Sequence, residues 1–327
     1  MSELIGYDNE IQSFLNNYKS KSLHSSIIIH GPKGIGKRLF IDQIIEKILH
    51  YNFDKKNYLH HLNLYKNNTN QNIKIIEKNI DSKTKKLKQH ISIDQIRNVK
   101  KFIRESTSIN NLEKFVIVDS VDDLNINSAN SFLKSLEEPN NKTFIFLISH
   151  QLSALLPTIR SRCLKIRLNK HSFENFREVF NSKIPNIDDD EITFLYQITY
   201  GSPGNAISLY DNNILEIFNN TLEYLNSKKL NNNIIHLTNS LSKLDNDKFK
   251  IYLSLLKSTL VILNKIKSKN YPTNQYISNK HKILERISQT LSINNIIDRF
   301  NFLVKNENDL FAYNLDKKIF MLKFLTN

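Results

Sequence analysis

The sequence has one cysteine, no tryptophan and no long apolar run. A single thiol, Cys163, excludes an internal disulfide and a zinc cluster built from cysteines, and it fits a reducing compartment. No apolar stretch approaches the roughly 18 residues that a membrane helix needs. The polar start MSELIGYDNE also lacks the apolar core of a secretory signal. We therefore expect a soluble, cytoplasmic protein.

Negative charge is in short supply, with 46 Lys+Arg against 32 Asp+Glu and a formal net charge of +14. Such an excess favours work near an anionic polymer such as nucleic acid. The alternative is that an AT-rich genome enriched lysine on solvated faces, which the abundance of Asn, Lys and Ile also fits. Composition leaves both interpretations open, and the 327 residues suffice for about two or three domains.

Short apolar runs alternate with helical periodicity over the first half of the chain. A capping box, Ser92 with Gln95, predicts the start of one intervening helix. Strands separated by helices predict an α/β domain with a parallel sheet over residues 1–168. The polar span 52–89 is interpreted as a surface insertion with one strand, and residues 169–212 and 213–327 as two helical domains. The predicted strands are Ser26–His30, Ile73–Ile76, Phe115–Val118, Phe144–Ile148 and Leu164–Leu168.

A phosphate-loop pattern, GxxxxGK, occurs at Gly31-Pro-Lys-Gly34-Ile-Gly36-Lys37, between a predicted strand and a predicted helix. Its glycines let backbone N–H groups surround phosphates, and its lysine meets the β and γ oxygens. The alternative is an ordinary glycine turn. The next position usually supplies a hydroxyl to Mg²⁺, but here it is Arg38, whose guanidinium cannot bind a metal cation. Metal-assisted hydrolysis is therefore disfavoured.

The second part of a phosphate-loop site is an acid at the end of a neighbouring strand. The run Val116-Ile-Val-Asp119 predicts a buried strand that ends in such a carboxylate. The alternative is a plain core strand followed by a turn. Where such a site hydrolyses its nucleotide, a glutamate follows and polarises the attacking water, a role for which Ser120 has no comparable basicity. Asp122 and Asp123 lie nearby, on what we expect to be a solvated turn, and substitution by either is open but disfavoured.

Three strings, read together with Asp119, resemble the clamp-loader branch of the AAA+ ATPases. They are NSANSFLKSLEEP at 127–139, LLPTIRSRC at 155–163 and GSPGNA at 201–206. The similarity is strong over residues 1–210 and weaker beyond. It implies a AAA+ P-loop α/β domain at 1–168, a helical lid at 169–212 and a helical collar for oligomerisation at 213–327.

The resemblance implies a subunit of a bacterial heteropentameric ring that loads a sliding β clamp onto primed DNA. Within the branch, the chain is most similar to the end subunit that serves as a stator beside the tau or gamma and delta subunits. By that similarity, Arg162 of the Ser-Arg-Cys motif is a catalytic arginine finger offered in trans to ATP held by the neighbouring tau or gamma subunit. Such fingers raise rates by roughly 10³ to 10⁵.

The same similarity assigns the remaining site positions. No intrinsic ATPase is expected, because Arg38, Ser120 and Gly204 stand where hydrolysing relatives have a hydroxyl, a glutamate and a sensor arginine. Whether ATP or ADP binds without hydrolysis stays open. Zinc is not expected, since the span that carries a four-cysteine module in many relatives has no cysteine here. The phosphate loop maps to Gly31, Gly34, Gly36 and Lys37, the metal-side acid to Asp119 and the first sensor to Ser149.

Two alternatives remain. A self-sufficient ATPase of the tau or gamma kind is disfavoured by Arg38, Ser120 and Gly204. A stand-alone basic DNA-binding protein would account for the charge but leaves Thr158 to Cys163 unexplained. The basic residues after Ser92, namely Lys100, Lys101 and Arg104, are candidates for DNA contact or are simply solvated.

Overall fold

The computed structural model of the chain describes residues 4–81, 87–88, 90–110, 112–137, 139, 142–211, 214–227, 233–270 and 279–326. The chain divides into two compact units, Met1–Lys170 and His171–Asn327. No helix within the described ranges is both long enough and apolar enough to cross a membrane.

A parallel sheet forms the centre of the first unit and confirms the predicted α/β class. Within the described residues it has five strands in the order β2-β3-β4-β1-β5, and all neighbours are parallel. Strands β1, β3 and β4 are buried along almost their whole length, which explains their continuous Ile, Val and Phe runs. The strands are β1 (Ser26–His30), β2 (Ile73–Glu77), β3 (Lys114–Asp119), β4 (Thr143–Ser149) and β5 (Leu164–Arg167).

Helices cover both faces of the sheet. Successive side chains of a strand point to opposite faces, and here the side chains on both faces are apolar and need to be buried. Ile27 and Ile29 belong to the core cluster formed with α1, α2 and α3, while Ile28 belongs to the cluster formed with α4 and α5. The helices of this unit are α1 (Asp8–Lys19), α2 (Lys37–Asn52), α3 (Lys55–Lys66), α4 (Ile93–Arg104), α5 (Ile126–Glu137) and α6 (Pro157–Ser161).

The interpretation of residues 52–89 as a surface insertion was wrong for its first part. Helix α3 packs against α2, with Leu62 and Tyr65 buried on one face three residues apart, and β2 is the sheet's edge strand. The surrounding Lys, His and Asn residues masked this short apolar spacing in the sequence. Residues 82–86 and 89 of the span lie outside the described residues. The capping box at Ser92 is confirmed, since both of its reciprocal hydrogen bonds form.

The described part of the second unit is helical. One cluster of buried apolar side chains extends along it from Phe176 to Leu325. Its division at residue 212 into a lid and a collar stays a prediction, and residues 212 and 213 lie outside the described ranges. The helices are α7 (Phe173–Lys183), α8 (Asp189–Ile198), α9 (Pro203–Asp211), α10 (Ile214–Ser227), α11 (Asn233–Ser242), α12 (Asn246–Lys267), α13 (Asn279–Thr290), α14 (Ile293–Ala312) and α15 (Lys317–Thr326).

Candidate functional site

The phosphate loop, Gly31 to Lys37, connects the carboxyl end of β1 to the first turn of α2. Gly31 has φ +154°, and a Cβ atom added to it would lie 2.3 Å from the main-chain oxygen of Leu168. Gly36 has φ +91° and caps α2 in the left-handed conformation. The side chain of Ile35 is fully buried in the core cluster on the α1–α3 face of the sheet and so anchors the loop to the core. The loop therefore has the backbone cradle that phosphate binding requires.

Substitution of Gly31 tests how tightly the cradle is built. Gly36→Ala serves as the reference. It should destabilise the protein by about 1 to 3 kcal/mol, because alanine is strained at this positive φ. Its Cβ would meet only the flexible Leu4 side chain, at 3.1 Å, so steric overlap adds little. Gly31→Ala should cost more than Gly36→Ala, because its Cβ overlaps backbone. Denaturant unfolding of both variants measures the difference, and equal midpoints would contradict this account of the loop.

The lysine of the loop is turned back onto its own backbone. Lys37 is only 3% exposed, and its Nζ donates to the carbonyl oxygens of Gly31 at 2.7 Å and Pro32 at 2.6 Å. Burial lowers the pKa of Lys37 to about 8, although Asp122 and Asp119 oppose that shift. Two carbonyl oxygens stabilise the buried positive charge of the ammonium only weakly, and an anion bound in the loop would stabilise it more.

Arg38 sits next to the acid that would face a metal ion. Its Nε donates to Asp42 Oδ1 at 2.8 Å, and its Nη1 lies 3.9 Å from Asp119 Oδ2. Tyr65 donates its hydroxyl to the same Asp42 oxygen at 2.5 Å. Burial raises the pKa of Asp119, and the Arg38 charge opposes the shift. This donor set, a guanidinium between two carboxylates with no hydroxyl beside the lysine, does not fit Mg²⁺.

Ser120 and the two aspartates after it stabilise loops at the carboxyl edge of the sheet. Asp122 accepts hydrogen bonds from Ser149 Oγ at 3.0 Å and from the backbone N–H groups of His150 and Gln151 at 2.7 and 3.3 Å. Asp123 pairs with Lys78 at 3.1 Å and accepts from Ser120 Oγ at 3.3 Å.

Asp122 and Asp123 lie in a turn beyond the strand end, as expected, but the expectation that this turn is simply solvated was wrong, because both side chains are partly buried and hydrogen-bonded. Strands β3 and β4 are parallel neighbours, so the turns that follow them meet at the same edge of the sheet. Both carboxylates are engaged in holding those turns. Ser149, the predicted first sensor, is fully buried and held by Asp122.

Arg162 ends helix α6 and is paired within its own chain. Its Nε donates to Glu137 Oε1 at 2.5 Å, its Nη2 contacts the same oxygen, and its Nη1 donates to the carbonyl oxygen of Thr158 at 2.8 Å. The pair keeps access to solvent, with side chains 30% and 46% exposed. The sequence alone does not show which residue Glu137 pairs with. The partner could be named only once α5 and α6 were placed side by side.

The phosphate loop and Arg162 lie at opposite edges of the sheet. Ile27 of β1 faces Leu164 of β5 and His30 faces Arg167, a separation of about 10 Å along the strands. The loop follows His30, whereas Arg162 precedes Leu164. Ser26 Oγ donates to the carbonyl oxygen of Leu136 at 3.0 Å, which places the end of α5, and with it Glu137, at the amino edge too.

A parallel β2-β3-β4-β1-β5 sheet with a phosphate loop after β1 and an acid at the end of β3 defines a P-loop α/β protein of the AAA+ class. The chain belongs to the family described as DNA polymerase III, delta subunit, whose sequence model matches residues 6–172.

Similar proteins include two kinds of DNA polymerase III subunit. Subunit delta-prime of Pseudomonas aeruginosa is 33% identical over 126 residues, which is 38% of this chain and 38% of that protein. Subunit gamma of Buchnera aphidicola subsp. Schizaphis graminum is 25% identical over 347 residues, covering 94% of this chain and 90% of that one. A gamma subunit-related protein from Thermotoga maritima, of known structure, has a TM-score of 0.45 and 21% identity over 97% of each chain. The alignment with the Pseudomonas protein thus spans under two-fifths of that relative's length.

Proposed function

We propose that this chain is the delta-prime subunit of the bacterial DNA polymerase III clamp loader. In this role it is a stator in a cytoplasmic heteropentamer with tau or gamma and delta subunits, and it helps to load the sliding β clamp onto primed DNA. It hydrolyses no ATP itself and is a non-catalytic part of the polymerase holoenzyme. It contributes the Arg162 guanidinium to ATP held by a tau or gamma neighbour.

The observation that carries the proposal is the position of Arg162. An arginine that served the chain's own phosphate loop would have to lie near the carboxyl edge of the sheet. Arg162 instead lies beyond the amino end of β5, partly exposed, with Glu137 as its partner. A guanidinium so placed can act on a nucleotide only if another subunit brings that nucleotide to it. A planar fork of donors is also suited to the charge that develops on a γ-phosphate.

The alternative is a gamma-type subunit that hydrolyses ATP by itself, and the Buchnera gamma subunit is similar to this chain over most of its length. The residues around the loop argue against it. Arg38 occupies the position of the metal-binding hydroxyl, Ser120 that of the glutamate, and the nearby Asp122 and Asp123 are tied to the turns. Such a site retains the cradle, but Ser120 lacks the basicity that a glutamate would bring to the attacking water.

Contact with primed DNA is proposed to run through the assembled ring. Helix α4 carries Lys100, Lys101 and Arg104, of which the last two are exposed. If they touch phosphates, binding of the complex to DNA should weaken steeply as salt rises.

The purified chain is expected to show no ATP turnover, with or without primed DNA, because Arg38 and Ser120 stand where hydrolysing relatives have the hydroxyl that holds Mg²⁺ and the glutamate that polarises the water. Phosphate release by the isolated subunit measures this, with a tau or gamma subunit assayed in parallel as the active control. Steady, DNA-stimulated hydrolysis that copurifies with the chain and is lost in Lys37→Ala would sink the stator proposal in favour of the gamma-type alternative.

A further inference from the structure

The site around the phosphate loop contains the guanidinium of Arg38 at the position where related loops bind a Mg²⁺ ion. In metal-using loops a hydroxyl after the lysine holds Mg²⁺, which bridges the phosphate oxygens and neutralises their charge. Here the same position presents a guanidinium, and the acid at the end of β3 faces that guanidinium at 3.9 Å.

The guanidinium is held from behind, so its place is set by the fold. Asp42, one turn along α2, accepts from Arg38 Nε, and Tyr65 of α3 donates to the same carboxylate oxygen. Asp42 and Tyr65 are themselves buried. This bonding uses the Nε edge of Arg38 and directs the Nη1 edge toward Asp119. An arginine anchored in this way loses little further freedom when it binds an anion.

The loop adds a second positive charge, that of Lys37, which Asp122 and Asp119 offset in part. Lys37 is buried against two carbonyl oxygens, which are weak substitutes for a counter-anion. Burial and the charge of Lys37 lower the pKa of the neighbouring His150 to about 4. The cradle, the buried ammonium and the anchored guanidinium together suit an anion with several oxygens. A dication beside Asp119 would meet the Arg38 charge at close range.

We propose that the phosphate loop binds the phosphate groups of a nucleotide without a divalent cation, with Arg38 supplying the positive charge that Mg²⁺ supplies in related loops. Lys37 Nζ exchanges the carbonyl oxygens of Gly31 and Pro32 for phosphate oxygens on binding. Asp42 and Tyr65 act as positioning residues for the guanidinium. This inference goes beyond the stator role and does not depend on it, since binding is a property of the isolated chain.

Titration calorimetry of the purified chain with ATP and with ADP tests the proposal, once in EDTA and once in excess Mg²⁺. Binding in EDTA should be at least as tight as in Mg²⁺, because the metal neutralises the polyphosphate charge that Arg38 and Lys37 recognise. Lys37→Ala should abolish the heat in both buffers and so locate the ligand in the loop.

Arg38→Thr is the decisive variant, because it restores the hydroxyl. It should weaken binding in EDTA by at least about tenfold, the value of one charge-assisted hydrogen bond, and it should reverse the order so that Mg²⁺ tightens binding. Arg38→Lys keeps the charge and should remain independent of the metal, which covers the case that the threonine variant fails to fold. The absence of binding by the native chain in either buffer, or binding that EDTA removes, would overturn the proposal. The stator role is tested separately, by ATP turnover, whereas this proposal is tested by binding. A failure of one can therefore be told from a failure of the other.

Discussion

Under the proposed stator role, replacement of Arg162 by alanine is expected to lower the steady-state ATPase rate of the reconstituted clamp loader by about 10³-fold at the neighbouring subunit's ATP site. The guanidinium would stabilise the charge that develops on the γ-phosphate of the neighbour's ATP, and a methyl group cannot. Because other subunits of a ring could also hydrolyse ATP and mask the loss, it is best measured with a single competent tau or gamma subunit placed next to this chain. Phosphate release under saturating ATP and primed DNA gives the rate.

Assembly of the ring should survive the substitution, since Arg162 is partly exposed and its loss removes one surface ion pair. Size-exclusion chromatography of the complex checks this. Arg177→Ala is the matched control, because Arg177 also pairs with a carboxylate, Asp189, but on the helical unit. Arg162→Lys retains the charge without the planar fork and should recover only part of the rate. An unchanged rate in Arg162→Ala would return this residue to the status of a surface charge.

Phe146→Ala is expected to lower the free energy of unfolding by about 3 to 5 kcal/mol. Phe146 lies on the central strand β4, is fully buried and packs its ring against Phe14 at 5.8 Å and Phe115 at 6.2 Å between centroids. Removal of the ring leaves a cavity between the sheet and α1 that neighbouring side chains cannot fill. Denaturant unfolding monitored by circular dichroism measures the loss.

Phe144→Ala provides the comparison, since Phe144 is on the same strand and the same face but only half-buried. Its substitution should cost clearly less, because less apolar surface is withdrawn from water at that position. Equal losses for the two variants would show that the core is not organised around β4 as the burial pattern indicates.

Much of the first unit could be predicted because its elements are locally encoded. The run SIIIH is short, apolar and β-branched, which favours an inner strand of a parallel sheet, and the glycines that follow favour a turn or a loop. Helix α3 could not be predicted in the same way. Its two buried side chains, Leu62 and Tyr65, sit in a polar sequence, and their burial depends on α2 being present to pack against.

Only part of the candidate site could be predicted from the sequence. The loss of a hydroxyl at Arg38 and of an acid at Ser120 can be read from residue types, since no fold can turn a guanidinium into a metal ligand. The roles of Asp122 and Glu137 could not be read, because each depends on a partner more than twenty residues away in the chain. An isolated carboxylate in a sequence looks the same whether it is solvated or holds a loop.

The sequence by itself determined the α/β class, the phosphate loop and the chemical reasons why this loop is not expected to hydrolyse ATP, because strand patterns and functional groups are properties of the residues. Only the tertiary structure decided that Arg38 is anchored by Asp42 and Tyr65 beside Asp119, and that Arg162 pairs with Glu137 at the edge of the sheet opposite the loop. Strand register and helix packing set those distances, and both arise from contacts between parts of the chain that are far apart in sequence.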